Sequence, residues 1–214
     1  MNTENANDEL NDAFKSADLN DKVWMFFTKY ARAVASTAIV VCIILGLALI
    51  IMVGRSMCKR SMKAAYWEAT RTDTLEHFAQ KYISNPLGGT VFLELGDKAY
   101  QKKEYRQAAD YYHHARVSLG GNVFGGRAAI GEGIALIKLG LHTDGEVILA
   151  GVGEEKSYPM LVRGHGICLL ANSLWERKEL GKAKSTLNQL INGNFSDPWK
   201  TMAKALIQEI EIGQ

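Results

Sequence analysis

Residues 91–115 read VFLELGDKAYQKKEYRQAADYYHHA. Their apolar and small side chains recur three or four residues apart on both sides of the polar segment 101–104, which predicts two helices joined by a short turn. The small residues Gly96 and Ala108 allow the two helices to cross closely, and larger residues fill the gaps on either side. The pattern is carried by Phe92, Leu95, Gly96, Ala99, Tyr105, Ala108, Tyr112 and Ala115.

This arrangement of small and large residues matches the tetratricopeptide (TPR) repeat, a helix pair that stacks on its neighbours. Weaker copies of the pattern occupy residues 131–152 and 167–191. They predict repeats at about 89–122, 126–159 and 164–197. We expect an all-α fold in which these repeats form a TPR-like α-solenoid over residues 86–212.

A solenoid needs a final helix to cover the apolar face of its last repeat. The sequence predicts a capping helix over residues 198–212. Its expected apolar face consists of Met202, Ala205, Leu206 and Ile210.

A charge-free apolar run, Ala33–Gly54, precedes the repeats. At about 1.5 Å per residue it would span about 33 Å, which is close to the hydrocarbon thickness of a bilayer. The apolar core of a cleaved signal peptide is shorter and ends at a small-residue cleavage site, which Met52–Arg55 does not supply. We therefore predict an uncleaved transmembrane helix over residues 33–54.

The segments around this span differ in composition. Residues 1–20 are rich in Asn, Asp and Glu, and we expect a disordered acidic tail. Residues 21–32 form an amphipathic juxtamembrane segment, and residues 55–85 a helical connector. Lys and Arg flank both ends of the span, and long domains cross membranes largely regardless of such charges, so the charge rule leaves the orientation open.

Composition and motifs argue against several functions. The formal net charge of +2 argues against a nucleic-acid-binding protein. No metal-ligand spacing, phosphate-binding loop or nucleophile elbow occurs, so we expect no metal, no cofactor and no enzyme activity. The adjacent His113 and His114 point about 100° apart on a helix, which favours an exposed pair over a metal site. A disulfide between Cys58 and Cys168 stays possible outside the cytoplasm.

A binding groove is the expected functional site, because the first helices of successive TPR repeats line a concave surface. Tyr100 and Trp175 are candidate anchors for a ligand, since aromatic rings give large contact area at low entropic cost. Both rings could instead pack between repeats. The groove is predicted to contain Leu93, Asp97, Tyr100, Gln101, Arg127, Ile130, Ile134, Lys138, Cys168, Asn172, Trp175 and Glu176.

The order of segments along the chain resembles the YfgM-type ancillary subunits of the bacterial SecYEG translocon. The most specific stretch is Leu75–Ala109, LEHFAQKYISNPLGGTVFLELGDKAYQKKEYRQAA. The resemblance implies an inner-membrane protein with one membrane helix, a cytoplasmic N-terminus and a periplasmic TPR-like domain. It also implies association with the Sec translocon and with a periplasmic chaperone or foldase.

The functional expectation is a membrane-tethered protein-interaction module that assists unfolded secreted clients through chaperone-like contacts. An extended or partly unfolded segment is the expected ligand of the groove. The alternative is a TPR scaffold that assembles a membrane-associated complex without binding clients.

Overall fold

The computed structural model describes residues 19–212, except for the side chains of residues 19–22, 25–34 and 59. Within this range the chain is helical and contains no strand. The helices are α1 Leu19–Arg71, α2 Leu75–Lys81, α3 Pro86–Gln101, α4 Tyr105–Leu119, α5 Val123–Lys138, α6 His142–Glu154, α7 Met160–Glu176, α8 Leu180–Asn192 and α9 Asp197–Ile212. The prediction of an all-α chain is confirmed for the described residues.

Helix α1 joins segments that the sequence predicts as separate. Its 53 residues include the amphipathic segment, the apolar run and the first part of the predicted connector. A stretch of 18 residues within Ala35–Arg71 has a mean hydropathy of 2.9 and contains no buried residue. Helix α1 is therefore long and apolar enough to span a membrane. The predicted disordered tail lies outside the described residues, apart from residues 19 and 20, which begin the helix.

The described part of the chain divides into two compact units, one ending at Ala64 and the other beginning at Ala65. In the second unit every helix from α2 onward contacts the next one along the chain. The helices α3, α5, α7 and α9 also contact one another in that order, whereas among the described residues α4, α6 and α8 do not. The helices α3, α5, α7 and α9 therefore form one layer. The helices α4, α6 and α8 pack against this layer as a second one.

The turns within successive helix pairs have the same backbone geometry. Lys103, Gly140 and Lys178 adopt left-handed φ values of 64°, 84° and 62° and lie 37 and 38 residues apart. The residue after each turn donates its N–H to a carbonyl five residues earlier, as in Glu104 N–H to Ala99 O at 3.0 Å. Such a bond and a left-handed residue are the parts of a Schellman cap, which satisfies the last carbonyls of a helix.

The same turn ends α1. Asp73 has a φ of 55°, and Thr74 donates its N–H to Ala69 O at 2.9 Å. Ala69 and the α2 residues Phe78 and Ala79 are buried. The last turns of α1 together with α2 therefore form a shortened helix pair, and helix-pair packing begins within the segment predicted as a connector.

The close helix crossings predicted from small residues are present. A Cβ atom at Gly96 would lie 2.7 Å from the Tyr112 ring, and one at Gly133 would lie 2.9 Å from Leu149 Cγ. The equivalent residues of the third pair, Ala171 and Leu187, are both buried. Each crossing thus places a small residue of the first helix near a large residue of the second.

Helix α9 covers the end of the core, with a different face from the one predicted. Ala203 and Ile210 are buried in a cluster with α7 and α8, and Leu206 is half-buried against it. Met202 and Ala205 are exposed. The helix starts one residue before the range predicted for the capping helix, and the predicted face is wrong at these two positions because α9 contacts α7 as well as α8.

Candidate binding groove

A groove of about 580 Å³ lies along the layer of first helices. It is formed by α3, α5, α7 and α9, with one ring contributed by α4. Its lining consists of Asp97, Tyr112, Val123, Arg127, Ile130, Gly131, Ile134, Leu161, Val162, His165 and Trp199.

Most of the groove wall is apolar. Ile130 and Val162 also belong to a core cluster beneath the groove, so this part of the surface is continuous with the interior. Val123 and Leu161 stand at its mouth and are 50% and 68% exposed. Exposed apolar side chains that adjoin a groove are typical of surfaces that bind another molecule.

Glycines permit the close approach that shapes the groove floor. The Tyr112 ring lies between Gly96 of α3 and Gly131 of α5, where added Cβ atoms would come within 2.7 and 2.8 Å of it. The Trp199 ring covers Gly164 in the same way, and a Cβ atom added at Gly164 would lie 2.7 Å from that ring. These residues must be small because an aromatic ring occupies the space that their side chains would need.

One end of the groove is polar. The Tyr112 hydroxyl donates to Asp97 Oδ1 at 2.9 Å, and Arg127 pairs with Asp97 Oδ2. Burial, together with the hydrogen bond to the Asp97 carboxylate, raises the pKa of the Tyr112 phenol above its ordinary value. The three side chains connect α4, α3 and α5, and both oxygens of Asp97 are engaged within the protein.

The structure brings together part of the predicted site. Asp97, Arg127, Ile130 and Ile134 line the groove together. The remaining predicted residues, which do not line it, are Leu93, Tyr100, Gln101, Lys138, Cys168, Asn172, Trp175 and Glu176. Most of these residues lie nearer the C-terminal ends of the first helices than the groove does, and their role in binding stays a prediction.

The two candidate aromatic anchors contact other parts of the protein. The Tyr100 and Tyr105 rings meet edge to face, with centroids 5.4 Å apart. Trp175 is half-buried against the cluster that α7, α8 and α9 form. These contacts correspond to the interpretation in which both rings serve internal packing.

The predicted site does not include seven of the lining residues, which are Tyr112, Val123, Gly131, Leu161, Val162, His165 and Trp199. His165 follows Arg127 by 38 residues, which is the spacing of the left-handed turns Gly140 and Lys178. The repeat spacing could therefore have indicated His165. Trp199 is not predicted as a groove residue, because the sequence pattern indicates only a capping role for α9.

Away from the groove, one buried and one half-buried acidic residue, Glu132 and Glu146, connect neighbouring helices. Glu132 is buried and pairs with Arg116 at 2.6 Å and with His113 Nδ1 at 3.0 Å. The hydrogen bond to Glu132 raises the pKa of Arg116. Glu146 accepts a hydrogen bond from the Ser173 hydroxyl at 2.9 Å and pairs with Arg177. These contacts give the helix pairs a fixed register.

The histidines and cysteines have local roles. The His114 ring contacts Phe92, with centroids 5.0 Å apart, and no group of three His, Cys, Asp or Glu side chains able to hold a metal occurs among the residues that the structure describes. Cys58 and Cys168 are free thiols. Burial raises the pKa of the Cys168 thiol to about 11.

No protein-family model matches this chain, and no curated protein matches it either. The resemblance of residues 75–109 to translocon accessory subunits accordingly stays a prediction.

Proposed function

We propose that this protein is a membrane-tethered interaction module whose groove binds an apolar segment of another protein. The observation that carries the proposal is the apolar groove along α3, α5, α7 and α9, open at Val123 and Leu161. The proposed activity is binding, with no reaction catalysed in the groove.

The helical unit is proposed to be a TPR-like α-solenoid. Support comes from the contacts between first helices, the left-handed turn within each pair and the small residue at each crossing. Equivalent turns lie 37 and 38 residues apart. A TPR unit has about 34 residues, so the proposed repeats are slightly longer than that pattern.

Helix α1 is proposed to cross the bacterial inner membrane once, with the N-terminus in the cytoplasm and the helical unit in the periplasm. Its length and mean hydropathy support the crossing. The orientation rests on the resemblance of residues 75–109. With the helical unit in the periplasm, alkaline phosphatase fused after Gln214 should be active, and green fluorescent protein fused at the same site should not fluoresce. The opposite pair of results would reverse the orientation.

The proposed partners are the Sec translocon, a periplasmic chaperone or foldase, and unfolded secreted proteins. Unfolded chains expose the apolar side chains that a folded protein buries. A groove that presents Val123, Ile134 and Leu161 can shield such side chains from water, which is the physical basis of a chaperone-like contact.

Site-specific photo-crosslinking in cells tests this function. A photoreactive residue at Leu161, which is 68% exposed in the groove, should crosslink secretory chains, with translocon subunits recovered in the same complexes. The matched control is Val147 on α6, which is 66% exposed and lies outside the groove lining. Equal yields from both positions would contradict groove binding, and a single stoichiometric partner without translocon subunits would favour the scaffold.

A further inference from the structure

A dense basic segment follows the apolar run directly. Arg55, Lys59, Arg60 and Lys63 lie within nine residues of each other, and no Asp or Glu occurs between Asp21 and Glu68. The side chains of Arg55, Arg60 and Lys63 are exposed. None of these three forms an ion pair with another described residue.

The helical backbone gathers these charges on one side. Helix α1 continues without a break through residues 55–63. At about 100° per residue the four basic positions fall within an arc of about 140°. Met57, Ser61 and Ala64 occupy the opposite side. The basic face is therefore a helical stripe rather than a ring of charge around the axis.

The stripe begins where the apolar run ends. Arg55 is one residue beyond Gly54 and Lys63 is nine residues beyond it, which places them about 1.5 Å and about 14 Å along the axis. The polar headgroup region on each side of a bilayer is about 5–8 Å thick. Long basic side chains can also direct their charged ends toward the interface. In a membrane-spanning α1 these four positions would lie at the depth of the lipid phosphates or just above them.

We propose that this basic face, Arg55, Lys59, Arg60 and Lys63, binds the headgroups of anionic phospholipids in the leaflet at the C-terminal end of the span. The inference rests on the proposed membrane crossing of α1. Charge complementarity selects the ligand, because each Lys or Arg near an anionic membrane surface favours association about fivefold. The binding holds in either orientation of the helix, since it depends on the local lipid charge alone.

Quenching by brominated lipids in reconstituted full-length protein tests the inference. Cys42→Ala and Cys168→Ala leave Cys58, an exposed residue of this segment, as the site for a fluorescent label. Vesicles of phosphatidylcholine and phosphatidylglycerol carry the bromine on one lipid or the other at the same mole fraction. Brominated phosphatidylglycerol should quench the label more strongly, and added salt should reduce the difference because it screens charge.

The four-fold variant Arg55→Gln, Lys59→Gln, Arg60→Gln and Lys63→Gln should lose the difference between the two lipids. A control with the same change in net charge replaces exposed lysines of the helical unit, Lys102→Gln, Lys138→Gln, Lys156→Gln and Lys204→Gln, and should keep it. Equal quenching by both lipids in the unsubstituted protein would overturn the lipid site and leave the anchor intact. No quenching by either lipid would overturn the membrane crossing, and the lipid site with it.

Discussion

Replacing Gly96 by Ala tests the close crossing of α3 and α4. The new Cβ would lie 2.7, 2.8 and 3.1 Å from three atoms of the Tyr112 ring. The ring cannot move away toward α5, because Gly131 meets its other side. Overfilling a well-packed core costs about 1–3 kcal/mol, and a helical Gly→Ala change returns up to about 1 kcal/mol. We expect Gly96→Ala to lower the free energy of unfolding by about 1–2 kcal/mol.

The matched control is Gly151→Ala in α6, where an added Cβ meets no atom within 4 Å. This variant should gain up to about 1 kcal/mol from helix propensity alone. The assay is urea denaturation of residues 65–214, followed by circular dichroism.

A double substitution separates the clash from other effects. The third helix pair has Ala171 and Leu187 at the equivalent positions. Gly96→Ala made together with Tyr112→Leu reproduces that pair, so its cost relative to Tyr112→Leu alone should vanish. If Gly96→Ala stabilises the protein as much as Gly151→Ala does, the proposed contact with the Tyr112 ring is wrong.

Three further predictions concern single side chains. Lys103→Gly should raise the free energy of unfolding by about 1 kcal/mol, because a left-handed backbone strains any residue with a Cβ. The control is the neighbouring Lys102→Gly, where φ is −77°; it should lower the free energy of unfolding in the same urea titration. The raised pKa of Tyr112 means that the folded state holds this proton longer than the unfolded state does, so stability should fall as pH rises above about 10. Tyr112→Phe should lessen that fall in alkaline unfolding curves, and an unchanged slope would refute the assignment. Since burial raises the pKa of the Cys168 thiol to about 11, iodoacetamide should alkylate it roughly a hundred times more slowly in the folded protein than in denaturant. Mass spectrometry measures both rates, and equal rates would contradict the burial of this thiol.

Only part of the candidate site can be predicted from the sequence. Helical spacing within one repeat is enough to group Arg127 with Ile134, and the repeat pattern adds Asp97. The repeat spacing from Arg127 also indicates His165, but Trp199 cannot be found in this way, since α9 brings it to the groove through contacts with other helices. Periodicity identifies an apolar face, but a neighbouring helix decides which part of that face stays open.

The apolar helix and the alternation of helices can be predicted from the amino acids alone, because both depend on local side-chain chemistry. A membrane-spanning helix is the simplest physical explanation of an uncharged run as long as Ala33–Gly54. A close crossing of two helices is the simplest explanation of a small residue at Gly96. The left-handed turns at Lys103 and Lys178 and the pairing of Asp97 with Arg127 depend instead on the packed structure. Lysine carries no local preference for that conformation, so contacts between the paired helices must impose it. The ion pair joins residues 30 positions apart, and their meeting depends on how α3 stacks on α5.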